Sequence, residues 1–190
     1  FLLFLNVSIA QKNIKNSFSI PQGYERVNPN NYHKWLINQP LIFDSPVKIY
    51  QGDIVYGLND IYIAKFDYSI GVKNLHQCAD AAMYFNATYL YETNQWDRIN
   101  YHFDETYSFP FKRHVWRTHT NDKTALKKYL EKVWAGAGSL SLDKFDTDPV
   151  TLKEAIAGDL IIEGGSPGHV ITIVDVIVNK TTGVKKYMLA

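Results

Sequence analysis

Cys78 is the sole cysteine of the chain, and it falls where a thiol can become reactive. Leu75, Cys78, Ala79, Ala82, Phe85 and Tyr89 recur at the spacing of one helical face. This pattern predicts a helix opened by Asn74, with Gln77 three residues on, as in a capping pair. A thiol in the first turn of such a helix meets free backbone N–H groups and the positive end of the helix dipole, and both favour a thiolate. A nucleophilic thiol also needs a base, and neutral imidazole is the usual one. Of the six histidines, His169 is the best placed. It follows the glycine-rich turn 163–168 and opens a strand, which holds a ring at the edge of a core yet leaves it reachable. A nucleophile on a helix followed by a base on a later strand is a layout suited to acyl transfer. The plainer reading stands beside it: cysteine is among the most buried residue types, and Cys78 lies on the apolar stripe of its helix.

A catalytic imidazole is normally oriented by a third group. Asp175 lies on the same face of the strand as His169, but six residues at the strand rise separate the two by roughly 20 Å. The orienting group is therefore expected from a neighbouring strand. If the closing hairpin pairs Val178 with Val184, the position opposite His169 falls beyond Ala190. For the oxyanion, the Cys78 backbone N–H and the adjacent Gln77 are the candidate donors.

These side chains need a scaffold. Asn28, Pro29, Asn30 and Asn31 mark a helix start, followed by Tyr32, Trp35 and Leu36 at helical spacing and closed by Pro40. Stretches 47–50 and 61–68 are β-branched and aromatic and read as strands. Residues 96–119 are aromatic-rich and read as irregular, with Pro110 inside. A second helix starts at Asn121-Asp122, carries Leu126, Tyr129, Leu130, Val133, Trp134 and Ala137 on one face, and is capped by Gly138. Strands are expected at 160–162, 169–178 and 184–190. The middle one is apolar on both faces, as in a covered central strand.

Two segments carry a resemblance. One is Leu75-His76-Gln77-Cys78-Ala79-Asp80-Ala81, with Tyr89-Leu90-Tyr91 after it. The other runs Gly158-Asp159-Leu160-Ile161-Ile162-Glu163-Gly164-Gly165-Ser166-Pro167-Gly168-His169. With Ala137-Gly138-Ser139-Leu140-Ser141-Leu142 and the closing Tyr187-Met188-Leu189-Ala190, the chain from about Pro21 onward resembles an exported bacterial family, domain of unknown function 4846. More distantly, the helix cysteine and the Gly-Asp…Gly-His strand pair are similar to cell-wall endopeptidases of the papain-like superfamily. The resemblance implies an α+β, papain-like fold, with the Cys78 helix packed on an antiparallel sheet. It implies Cys78 as nucleophile and His169 as base. Papain-type enzymes carry an oxyanion Gln six residues before the nucleophile, where this chain has Val72. The endopeptidases use an upstream Tyr, for which Tyr68 is a weak analogue. Chains of the nearer family continue past this point with a Gln, which the resemblance offers as the orienting group.

Composition bounds the rest. The chain has 190 residues, 46% apolar and 21% charged, with 20 basic against 19 acidic side chains. That size and balance suit one globular domain and give no footprint for nucleic acid or an anionic membrane. One cysteine excludes a disulfide framework and a Cys-rich zinc site. His102, Asp104, Glu105, His114 and His119 match no ligand spacing, so no metal is assigned and no cofactor is required. Tyr101, Phe103, Tyr107, Phe109, Phe111 and Trp116 read first as a loop packed on the core, and second as a glycan or peptide cleft. The opening run Phe1-Leu2-Leu3-Phe4-Leu5 before Ser8-Ile9-Ala10 resembles the end of a secretory signal. Residues 1–10 are thus expected to be a signal remnant, and 11–190 a single domain cut short at its C-terminus. The protein is expected outside the cytoplasm, periplasmic or extracellular, without stable membrane insertion after signal cleavage. The function expected is a cysteine hydrolase acting on peptide or amide bonds, with cell-envelope peptides as the substrate class. The alternative is a non-catalytic envelope or glycan-binding protein that keeps the fold.

Overall fold

A computed structural model describes residues 11–27, 29–57 and 62–190; the expected signal remnant, Asn28 and Ile61 lie outside them. The chain is α+β, built on an antiparallel sheet around one long strand. That strand, β9 (His169–Asn179), is buried from Thr172 to Val176 because both of its faces are covered there. β10 (Lys185–Leu189) runs along one edge. β8 (Leu160–Glu163) and then β1 (Tyr24–Arg26) pair in succession along the other. Thr172 shows the arrangement: it is paired to Leu160 on one side and to Ala190 on the other. The expected strands are thus present, and the hairpin sits one residue from the expected register, with Lys185 rather than Val184 opposite Val178.

Before the sheet core come α1 (Ile14–Ser17) and α2 (Asn31–Leu36), the latter capped by Asn30, whose Oδ1 accepts the His33 N–H at 2.7 Å. Two small ribbons follow: β2 (Leu41–Phe43) pairs with β5 (Ala64–Phe66), and β3 (Val47–Lys48) with β4 (Ile54–Tyr56). These strands are shorter than the 47–50 and 61–68 stretches of the sequence reading. The principal helix is α3 (Cys78–Glu92).

The stretch 96–119 departs from the irregular reading. It contains the hairpin β6 (Asn100–His102) with β7 (Ser108–Pro110), and then α4 (Phe111–Thr118). Pro110 stands at the cap of α4, where a missing N–H is harmless, so it starts a helix instead of breaking one. Tyr101, Phe109 and Phe111 are buried in the core, while Tyr107 and Trp116 are exposed. α5 (Lys123–Trp134) is capped by Asp122 and ends before Ala137. Gly138 therefore does not close α5; it stands at the N-cap of α6 (Ser139–Ser141), which runs into a π turn at Leu142–Asp146. α3, α5, the β6–β7 hairpin and Val170 share the largest core, which includes Met83, Ala87, Tyr101, Tyr129 and Val133.

Candidate active site around Cys78

α3 begins at Cys78 and not at Asn74, and the cap is the reason. The Gln77 N–H donates to Asp80 Oδ2 at 2.8 Å. Leu75 instead lies in a turn, its N–H on the Lys73 carbonyl at 2.9 Å. The capping pair is Gln77 with Asp80, one turn later than Asn74 with Gln77. The first helical bond runs from the Ala81 N–H to the Gln77 carbonyl at 3.1 Å. Cys78 is thus the first helical residue, and its own N–H precedes the helical ladder.

A cavity of about 470 Å³ opens at this helix start. Gln77, Cys78 and Asp80 form one wall, Trp134 and the chain after α5 a second, and the loop 165–168 a third. The free thiol is half-buried there. Ser139 braces the loop: its Oγ donates to the Gly165 carbonyl at 3.1 Å and accepts the Gly165 N–H at 3.4 Å. Gly168 permits the close approach. A Cβ there would lie 2.1 Å from Ser139 Oγ and 2.6 Å from the Gly165 carbonyl oxygen.

Cys78 and Gln77 share the cavity with Gly168, the residue before His169. The His169 ring does not line it. The ring is exposed and makes no hydrogen bond among the described residues, while Val170 beside it is 3% exposed in the α3 core. Across β8, Glu163 stands directly opposite His169, and cross-strand neighbours of this kind share a face. On the other edge the described pairing ends with Ala190 on Thr172, at 2.7 and 2.9 Å. Asp175 is engaged elsewhere: Arg26 Nε reaches its Oδ2 at 2.8 Å and His33 Nε2 its Oδ1 at 2.7 Å. Burial pushes the Asp175 carboxyl up, and its bonds to His33 and Arg26 more than reverse this, leaving it below the usual carboxylate range.

Tyr68 is not at the cavity. It shares a hydrogen bond with His76 Nε2 at 2.9 Å and stacks on Tyr84. Burial pushes the His76 imidazole down to about 4, so the ring is neutral near neutral pH.

Two cavity residues escaped sequence reasoning. Asp80 is 4% exposed, and its Oδ1 is buried without a partner. Burial pushes its carboxyl up to about 7, against the opposing effect of the Gln77 N–H bond. Trp134 is 9% exposed, and its Nε1 is likewise unpartnered. Each such atom costs about 1–3 kcal/mol when left unpaired. An acid two residues after the cysteine was the one visible signal for Asp80. Nothing local marked Trp134, which reads as one more apolar residue of α5.

A larger cavity of about 740 Å³ lies further along α3, lined by Met83, Asn86, Tyr101, Asp143 and Asp146 among others. Several of its polar groups are engaged inside the fold, although Asn100 Oδ1 is buried there without a partner. Asp146 holds His102 Nδ1 at 2.7 Å, Asp159 accepts the Ile156 N–H, and the Tyr101 hydroxyl donates to the Met83 carbonyl. It contains no cysteine, so the smaller cavity is the candidate site. Among the described residues, no three His, Cys, Asp or Glu side chains are grouped as a metal would need, and no helix is long and apolar enough to cross a membrane.

Fold and site together define an α+β protein whose single cysteine stands at a helix start and lines a loop-walled cavity. Residues 14–190 match the family described as Domain of unknown function (4846), and the chain belongs to that family. No curated protein and no solved structure matches it.

Proposed function

We propose that the protein is a papain-like cysteine hydrolase acting on peptide or amide bonds outside the cytoplasm, with cell-envelope peptides as its substrate class. One observation carries this reading: the only cysteine stands at the first residue of α3 and lines a cavity of which another wall, the loop 165–168, leads directly into His169. In this reading Cys78 attacks the carbonyl, His169 takes the thiol proton and returns it to the leaving amine, and a water deprotonated by His169 then breaks the thioester, releasing the acid and restoring the thiol. The Cys78 N–H, with Gln77 beside it, receives the oxyanion. In this reading Glu163, paired with His169 across the two strands, is the candidate for orienting the ring.

A second reading, a binding protein that keeps the cavity without turnover, is favoured by the exposure of the His169 ring and its absence from the cavity lining. Thiol labelling with methyl methanethiosulfonate at neutral pH separates the two. The hydrolase reading expects Cys78 to react faster than free cysteine, and the rate to fall by about a hundredfold in His169→Ala. A rate equal to that of free cysteine, unchanged by His169→Ala, refutes activation.

A further inference from the structure

We propose that Asp80 and Trp134 are the specificity residues of the Cys78 cavity and that they select an uncharged carboxamide over a carboxylate. In this arrangement the Trp134 Nε1–H donates to the amide oxygen and Asp80 Oδ1 receives the amide N–H. The inference rests on the Cys78 cavity being the ligand site, and not on turnover there.

Three observations lead to it. Both residues line the cavity with Cys78. Both are more than nine-tenths buried, at 4% and 9% exposure. Each carries a buried atom with no partner, Asp80 Oδ1 and Trp134 Nε1. Buried polar groups in folded proteins are almost always paired, so two leftover atoms, both enclosed but carried by residues that line one cavity, point to a partner that arrives from outside.

The chemistry of the leftovers narrows that partner. An indole N–H can only donate. The other Asp80 oxygen already accepts the Gln77 N–H, leaving Oδ1 as the free atom. The Ser139 hydroxyl is occupied by Gly165. The ligand must therefore offer an acceptor to the indole and a donor to the carboxyl. A carboxamide offers both in one plane. A carboxylate offers two acceptors and a negative charge, and no lysine, arginine or histidine is among the residues lining the cavity.

The test is the ratio of Cys78 alkylation rates by iodoacetamide and iodoacetate, two reagents of similar size that differ in this group. The ratio is normalised to free cysteine, and methyl methanethiosulfonate reports thiol reactivity alone. The expected result is a wild-type ratio above that of free cysteine by about fivefold or more, the worth of one hydrogen bond. Trp134→Phe and Asp80→Asn should bring the ratio back toward free cysteine, each ratio being taken relative to that variant's own methyl methanethiosulfonate rate. Thermal melting verifies that both variants fold, and each conservative variant stands in for the other should one fail. A wild-type ratio equal to that of free cysteine, or a raised ratio that both variants keep, overturns the proposal and leaves thiol activation standing. A thiol unreactive toward all three reagents overturns this proposal and the hydrolase reading together.

Discussion

Replacing Asp80 with Asn removes an ionisation while keeping an oxygen to accept the Gln77 N–H. Burial holds the Asp80 carboxyl near 7 against an ordinary value of 3.8. A group whose proton is held more tightly in the folded state loses stability as pH rises between those two values, because the native protein must keep a proton that the unfolded chain has released. The penalty is absent below the lower value and constant above the upper. About three units at 1.36 kcal/mol each give a ceiling of about 4 kcal/mol. The favourable helix end, worth up to about 2 kcal/mol, reduces this to a working figure of about 2 kcal/mol. His76 acts in the opposite sense. Its imidazole is pushed down to about 4 from 6.5, so the unfolded chain binds the extra proton and stability rises with pH across that window. The two slopes oppose each other in the wild type, and only the difference between wild type and Asp80→Asn isolates the carboxyl. Urea denaturation from about pH 4 to about pH 8 measures it. Asp80→Asn should gain on the wild type as pH rises and hold a constant advantage above about pH 7. A difference independent of pH, or one of opposite sign, refutes the burial argument.

Two structural predictions accompany this one. Gly168→Ala should displace the loop 165–168, because the added methyl meets Ser139 Oγ at 2.1 Å and the Gly165 carbonyl oxygen at 2.6 Å. The expected cost is about 1–3 kcal/mol, together with a changed Cys78 labelling rate; a variant with wild-type stability and labelling rate contradicts the packing described here. Asp175→Ala should cost about 3–5 kcal/mol by leaving Arg26 unpaired near a buried site, and urea denaturation with limited proteolysis of residues before 40 reports it. The carboxyl sits below its ordinary range in the fold, so its contribution is present above that ordinary value and is lost as pH falls through the folded one. Acid unfolding that begins at the same pH in wild type and variant contradicts this.

The residues of the candidate site divide between those the chain announces locally and those it does not. Cys78 at a helix start and β9 as a central strand were legible because both follow from short-range periodicity. The true start of α3 was not, because Gln77 with Asp80 and Asn74 with Gln77 have the same spacing, and tertiary burial chose between them. The stretch 96–119 was misread because Pro110 signals a break or a helix start equally well, and only the packing of Phe111 and His114 into the core resolves it.

What the sequence by itself determined about this protein is the α+β class, the lone thiol in the first turn of its helix and the histidine after a glycine-rich turn. Each depends on neighbours a few residues away. What tertiary structure decided is the content of the cavity. It set Trp134 and the loop 165–168 around Cys78, left Asp80 Oδ1 and Trp134 Nε1 without partners, and turned the His169 ring to the surface opposite Glu163. The relations that bring Trp134 and the loop 165–168 to Cys78 join residues tens of positions apart, and no local pattern encodes which buried polar atom finds a partner once the core has closed.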